Sequence, residues 1–233
     1  MVVVKYSYLI GISLLGSLVL ASPVWAARDQ SFPSEDAAIV QVLGVQERSG
    51  EAAETLLELL LSLDNTQANF VQTLLDFRGQ ILDQSSGSLS LSKPNLRWQI
   101  ASPFMQVILV TQDQLRIYDP DLEQVIEKNM AGSDEALPLQ LLLDPRQLLV
   151  GDYIISHLES DESQQFLLQP VKNQSLFLSV RLAFTNKQLS QLEITDHVGQ
   201  RTRITFANVR SAVEMPFSTF ELDLPAGTDV VRG

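Results

Sequence analysis

The sequence predicts a mainly β chain with some α: a strongly curved antiparallel sheet or barrel of about eleven strands, covered on its open side by helices. Three observations lead there. Period-two alternation of apolar and polar residues runs through most of the chain, turn-forming residues punctuate it at short intervals, and two leucine-rich segments break it with helical spacing.

Taken in order, Lys5 precedes an apolar run from Leu9 to Ala21, followed by Ser22-Pro23-Val24-Trp25-Ala26 with small residues where a signal peptidase reads. The apolar core is shorter than the roughly 20 residues that cross a bilayer. Residues 1–26 are therefore expected to be a signal peptide, leaving 207 of the 233 residues in the exported form. Residues 27–50 mix Asp, Ser, Pro and Gly around one short apolar patch and read as a loosely ordered extension, so that 51–233 make one domain.

From Glu51, the residues Ala53, Leu56, Leu57, Leu60, Leu61 and Leu63 recur at spacings of three and four, with acidic residues in the first turn. This is an amphipathic helix that ends near Asp64-Asn65. Alternation then takes over. Leu89 and Leu91 alternate with serines, Leu96, Trp98 and Ile100 share a face, and Leu176, Leu178, Val180, Leu182 and Phe184 form a ladder. Further strands are expected from Phe70, Val107, Gln114, Glu123, Tyr153, Gln165, Gln188, Thr202 and Phe217 onward. One segment, Ser133 to Leu149, interrupts the series with a helix cap, an Asp144-Pro145 restart and too many leucines for one exposed face. It must lie against an apolar interior.

Composition excludes several functions. Loss of Lys5 with the leader takes the formal charge from −12 to −13, which repels nucleic acid and anionic lipid. There is no cysteine, hence no disulfide and no cysteine-linked lipid. Asp196-His197 sits in an apparent hairpin turn without a nucleophile motif, Asp119-x-Asp121 reads as a turn, and His157 and His197 are far apart. No catalytic residue, metal site or cofactor is expected. A lipid hydrolase would need the missing Gly-x-Ser-x-Gly elbow.

Several runs resemble one family. Phe70-x-Gln72, then Gly87-x-Leu89-x-Leu91-x-Lys93-Pro94-Asn95-Leu96-x-Trp98, then Tyr118-Asp119-Pro120-Asp121-Leu122-Glu123-Gln124 are similar to LolA proteins in order and spacing. The ending Phe220-Glu221-Leu222-Asp223-Leu224-Pro225-Ala226-Gly227 looks like the family's last core strand and the turn after it, so the likeness covers Glu51 to Val231. The resemblance implies an unclosed antiparallel barrel with a helical lid over a concave apolar face. Its implied activity is that of a monomeric, non-enzymatic periplasmic carrier, which takes lipoproteins by their acyl chains from an ATP-driven inner-membrane transporter to an outer-membrane acceptor lipoprotein of the LolB kind. LolB proteins themselves need an N-terminal cysteine, which this chain lacks. A lipid- or peptide-sensing regulator of envelope signalling with the same fold is the alternative.

On this reading the acyl pocket is lined by Leu89, Leu91, Leu96, Trp98, Ile100, Leu178, Val180 and Leu182, although such residues equally make ordinary core. The lid carries Leu139, Leu141, Leu142, Leu143 and Leu148. The family's usual Arg before the Pro-Asn-Leu run, which bonds lid carbonyls, is replaced here by Lys93 as the expected latch. Lys keeps the charge and loses the planar fork of donors.

Overall fold

The computed structural model describes residues 50–112, 114–129, 137–146, 152–159, 162–171, 175 and 177–232. The expected signal peptide, nearly all of the expected 27–50 extension, the expected Ser133 cap and Leu148 lie outside the described residues, and so does the side chain of Leu139.

Helix α1 (residues 50–61) opens the described chain. Its apolar stripe of Ala52, Leu56, Leu59 and Leu60 is buried, as the three-and-four spacing requires. Strands β1 (Thr66–Leu75), β2 (Ile81–Ser92), β3 (Asn95–Ser102), β4 (Gln106–Val110), β5 (Gln114–Asp119) and β6 (Gln124–Asn129) follow as a meander. Helix α2 (Leu137–Leu143) interrupts it, and β7 (Tyr153–Glu159), β8 (Ser163–Pro170), β9 (Phe177–Thr185), β10 (Gln188–Asp196) and β11 (Arg201–Arg210) resume it. β12 (Asp229–Arg232) ends the chain.

All twelve strands form one sheet in the order β12-β6-β5-β4-β3-β2-β1-β11-β10-β9-β8-β7. The two halves of the meander join where β11 returns to pair with β1. Every pairing is antiparallel except that of β12, which lies parallel to β6. β7 and β12 are edges that do not pair with each other, so the curved sheet is an unclosed barrel.

One apolar cluster fills the concave side and joins α1, α2 and strands from β1 to β11. A second, smaller cluster lies apart from it, where Leu222 and Leu224 pack on Val107, Tyr118 and Val125 of β4 to β6. The expected last strand from Phe217 to Leu224 is thus no strand. It begins as a short 3-10 turn (Phe217–Phe220) and continues as an extended cover that makes no ladder. Arg97 holds it by donating from Nη1 to the carbonyls of Glu221 (3.0 Å) and Thr219 (3.4 Å), which fixes Arg97 toward that cover.

The turn readings hold. Asp119 Oδ1 accepts from the amides of Asp121 and Leu122 at 3.1 and 3.2 Å, and Asp196 Oδ1 accepts from Val198 and Gln200 at 2.9 and 2.8 Å.

Candidate functional site

Alternation brings the expected pocket residues to one surface. Leu89 faces Trp98 and Leu91 faces Leu96 across β2 and β3, while Val180 and Leu182 face Ile194 and Leu192 across β9 and β10. All of these, with Ile100, are buried in the concave cluster. Trp98 stacks on Phe70 with 3.9 Å between ring centroids and meets Phe206 edge-on at 6.2 Å. Room for this stack depends on Gly87, which pairs with both Phe70 and Ile100. A Cβ there would stand 1.9 Å from the Gln99 carbonyl oxygen and 2.9 Å from Phe70 Cζ.

Leu178 departs from the expectation. Ser179 pairs with Thr195 and Phe177 with the very next residue, Asp196, so a bulge leaves Leu178 unpaired. The bulge reverses the facing of the strand end: Phe177 enters the core and Leu178, 48% exposed, leaves the concave face.

The hollow is occupied by the chain itself. Leu56 and Leu60 of α1 and Leu141 and Leu142 of α2 are fully buried against the strands, and Leu143 packs beside them. The void left among Leu63, Leu89, Leu91, Leu142 and Phe206 measures about 10 Å³, barely the room of one water. Two helices, not the α2 segment alone, therefore cover the concave face. The sequence displayed α1 as amphipathic but gave no sign of which surface its stripe would meet.

Lys93 stands in the two-residue turn between β2 and β3. Its Nζ donates to the Leu60 carbonyl of α1 at 2.7 Å, and its backbone amide donates to Asp64 Oδ1 at 2.8 Å. The carbonyl belongs to the last turn of α1, where helical acceptors lack their usual partners. Burial pushes the Lys93 ammonium below its ordinary pKa, Asp64 and Asp144 oppose that shift, and Arg146 adds to it. Lys93 thus binds α1, while charged residues at the end of α2 and just beyond it lie within its electrostatic reach. Among the described residues no group of three His, Asp or Glu side chains could hold a metal ion, and no helix is long and apolar enough to cross a membrane.

The model of the family described as outer membrane lipoprotein carrier protein LolA matches residues 62–223. The chain belongs to the LolA family. An outer-membrane lipoprotein carrier protein of Chromohalobacter salexigens is 34% identical over 191 residues, covering 82% of this chain and 90% of the relative. One of Pseudomonas putida is 32% identical over 180 residues, covering 77% and 85%. Among solved structures, an uncharacterized conserved protein of Thermus thermophilus superposes with a TM-score of 0.52 at 10% identity, over 78% of this chain and 99% of that one, a likeness of fold alone. Both of these LolA relatives carry the name outer-membrane lipoprotein carrier protein, and the Lys93 turn lies within the residues that the family model matches.

Proposed function

We propose that this LolA-family protein is a periplasmic, non-enzymatic carrier that binds the acyl chains of lipoproteins leaving the inner membrane and delivers them to an outer-membrane acceptor. One observation carries this reading: two leucine-rich helices occupy the concave apolar face of a barrel that is not closed. The side chains of Leu56, Leu60, Leu141 and Leu142 stand where acyl chains would lie, so the described form is the empty, closed carrier.

The physical need is plain. At about 0.8 kcal/mol per methylene, the roughly 40 methylenes of an acylated cargo represent about 30 kcal/mol of transfer out of water. A carrier must offer comparable apolar surface to its cargo and must hide that surface when empty. Helices that compete with cargo for the same face do both, and the competition keeps net affinity moderate. Onward transfer then proceeds without further energy input to any acceptor that binds the same chains more tightly. Lys93, on the Leu60 carbonyl, is the latch of the closed state, and an ATP-driven transporter supplies the work of opening and loading.

The test incubates inner-membrane vesicles containing a lipoprotein and its transporter with ATP and the purified chain. Soluble cargo bound to the chain is the expected product. Cargo that stays in the membrane pellet under all conditions overturns the carrier reading.

A further inference from the structure

The inward face of the barrel changes character along its length. On β2 the inward positions run Asp83, Ser85, Gly87, Leu89, Leu91, from polar to apolar toward the Lys93 turn. The neighbouring strands change at the same level, for Gln72 pairs with Ser85 and Gln106 with Ile100. At this polar end, opposite the latch, lies a pocket of about 230 Å³.

Its wall holds Asp83, Ser85, Gln72, Gln106, Asp119 and Asp121, and among the described residues no Lys, Arg or His side chain lines it. Gln106 Oε1 is buried there without a hydrogen-bond partner. A buried acceptor of this kind is costly unless a donor comes to it. Asp119 Oδ1 accepts from the turn amides and its carboxylate keeps its charge, so Asp83, Asp119 and Asp121 are the charges of the wall. The lip is apolar: Phe104 and Leu122 are 61% and 62% exposed, and Met105 lines the pocket with them. The volume suits a head group of a few heavy atoms and falls short of a whole small-molecule ligand. Ile100 belongs both to this pocket and to the concave cluster, so the two spaces adjoin.

We propose that this mouth pocket receives the polar head of the acylated cargo, and that its acidic wall favours cargo with an ammonium or guanidinium group beside the lipidated residue. The inference rests on the carrier reading. Acyl chains seated on the apolar stretch place their head at the apolar-to-polar boundary, and the wall there offers acceptors and negative charge to the donors that follow. The exposed lip covers the methylenes nearest the head.

The probes are dipalmitoylated peptides that continue as Ser-Lys-Lys, Ser-Gln-Gln or Ser-Glu-Glu, with affinities read by displacement of a fluorescent fatty acid. Wild type is expected to bind the lysine probe about tenfold more tightly than the glutamate probe, as one or two partly desolvated charge-assisted bonds would give. The double variant Asp83→Asn, Asp121→Asn, which leaves Asp119 to hold its turn, is expected to reduce that ratio to about threefold. Glu162→Gln with Glu214→Gln removes the same charge at exposed positions near the latch end and is expected to keep the ratio. The glutamine probe reports whether each variant retains its hollow. Equal affinity for lysine and glutamate probes, or equal loss of preference in both double variants, overturns this inference alone. Failure of all three probes to bind overturns the carrier reading and this inference with it.

Discussion

Under the proposed carrier function, Lys93 is the side chain that sets the balance between closed and loaded forms. Its ammonium is half-buried and bonded to the Leu60 carbonyl, a charge-assisted contact worth about 1.5 kcal/mol or more. Cargo binding must break that bond, so Lys93→Met is expected to raise affinity for a fluorescent fatty acid by about tenfold, and an unchanged affinity would remove the latch role. Protonation adds a second signature. Because burial lowers the Lys93 pKa, the folded form binds fewer protons than the unfolded chain between the lowered value and 10.5. The closed state therefore gains stability as pH rises through that window, and Lys93→Met is expected to lose this gain in denaturant titrations across it. The Lys-Pro-Asn-Leu run singles out Lys93 in the sequence. Its partner was hidden, because a hydrogen bond between residues 60 and 93 depends on where the α1 terminus lands. Leu178 was misjudged for the same kind of reason: alternation is a local rule, and a single bulged residue reverses it without a mark in composition.

At the scale of elements, the strands were easy to read and the helices' destination was not. Alternation identified β2, β3 and β9 because one face of each is buried and the other solvated. The segment from Phe217 to Leu224 has the same alternation yet makes no ladder, since apolar residues every second position suit any extended chain lying on a sheet. β12 was missed because four residues with a parallel partner leave almost no pattern. Spacing marks α1 as amphipathic and leucine density marks α2 as covered, but neither says that α1 joins α2 on the concave face. Leu141 of α2 tests whether these helices are permanent core or a displaceable cover. Leu141→Ala costs about 2–5 kcal/mol where the side chain is fully buried. If α2 leaves the hollow on loading, that loss falls on the empty form only. The melting temperature of the empty protein is expected to drop by roughly 5–15 °C while palmitate affinity rises. A variant equally destabilised with and without palmitate would mark α2 as fixed core.

For the whole molecule, the fold class was legible because a dozen short strands in unbroken succession have few other solutions. The place where the barrel stays open was not, since it depends on which strands remain unpaired. One edge is tied by charge. Glu127 of β6 accepts from Arg116 at 2.7 Å and lies 3.3 Å from Arg232 of β12. The hydrogen bond from Arg116, more than the charge of either arginine, holds the Glu127 carboxyl below its ordinary pKa. Stability from a depressed carboxyl is present above the ordinary value of 4.5 and is lost as pH falls through the lowered one. Protection of the Val230 and Val231 amides, measured as exchange relative to the intrinsic rate at each pH, is therefore expected to fall at acid pH in the wild type, and at neutral pH in Glu127→Gln. Identical exchange in the two proteins at neutral pH would show that the ladder to β6 alone retains β12.

The gap between β7 and β12 has its own consequence. A sealed ring of strands has its girth set by its hydrogen bonds, and widening it means breaking a ladder along its full length. A ring with a gap can flex like a split collar, with each ladder left whole and only the helix contacts given up. If the proposed carrier function holds, one protein can then accommodate cargo with two tails or three, because the bore adjusts to whatever is put into it.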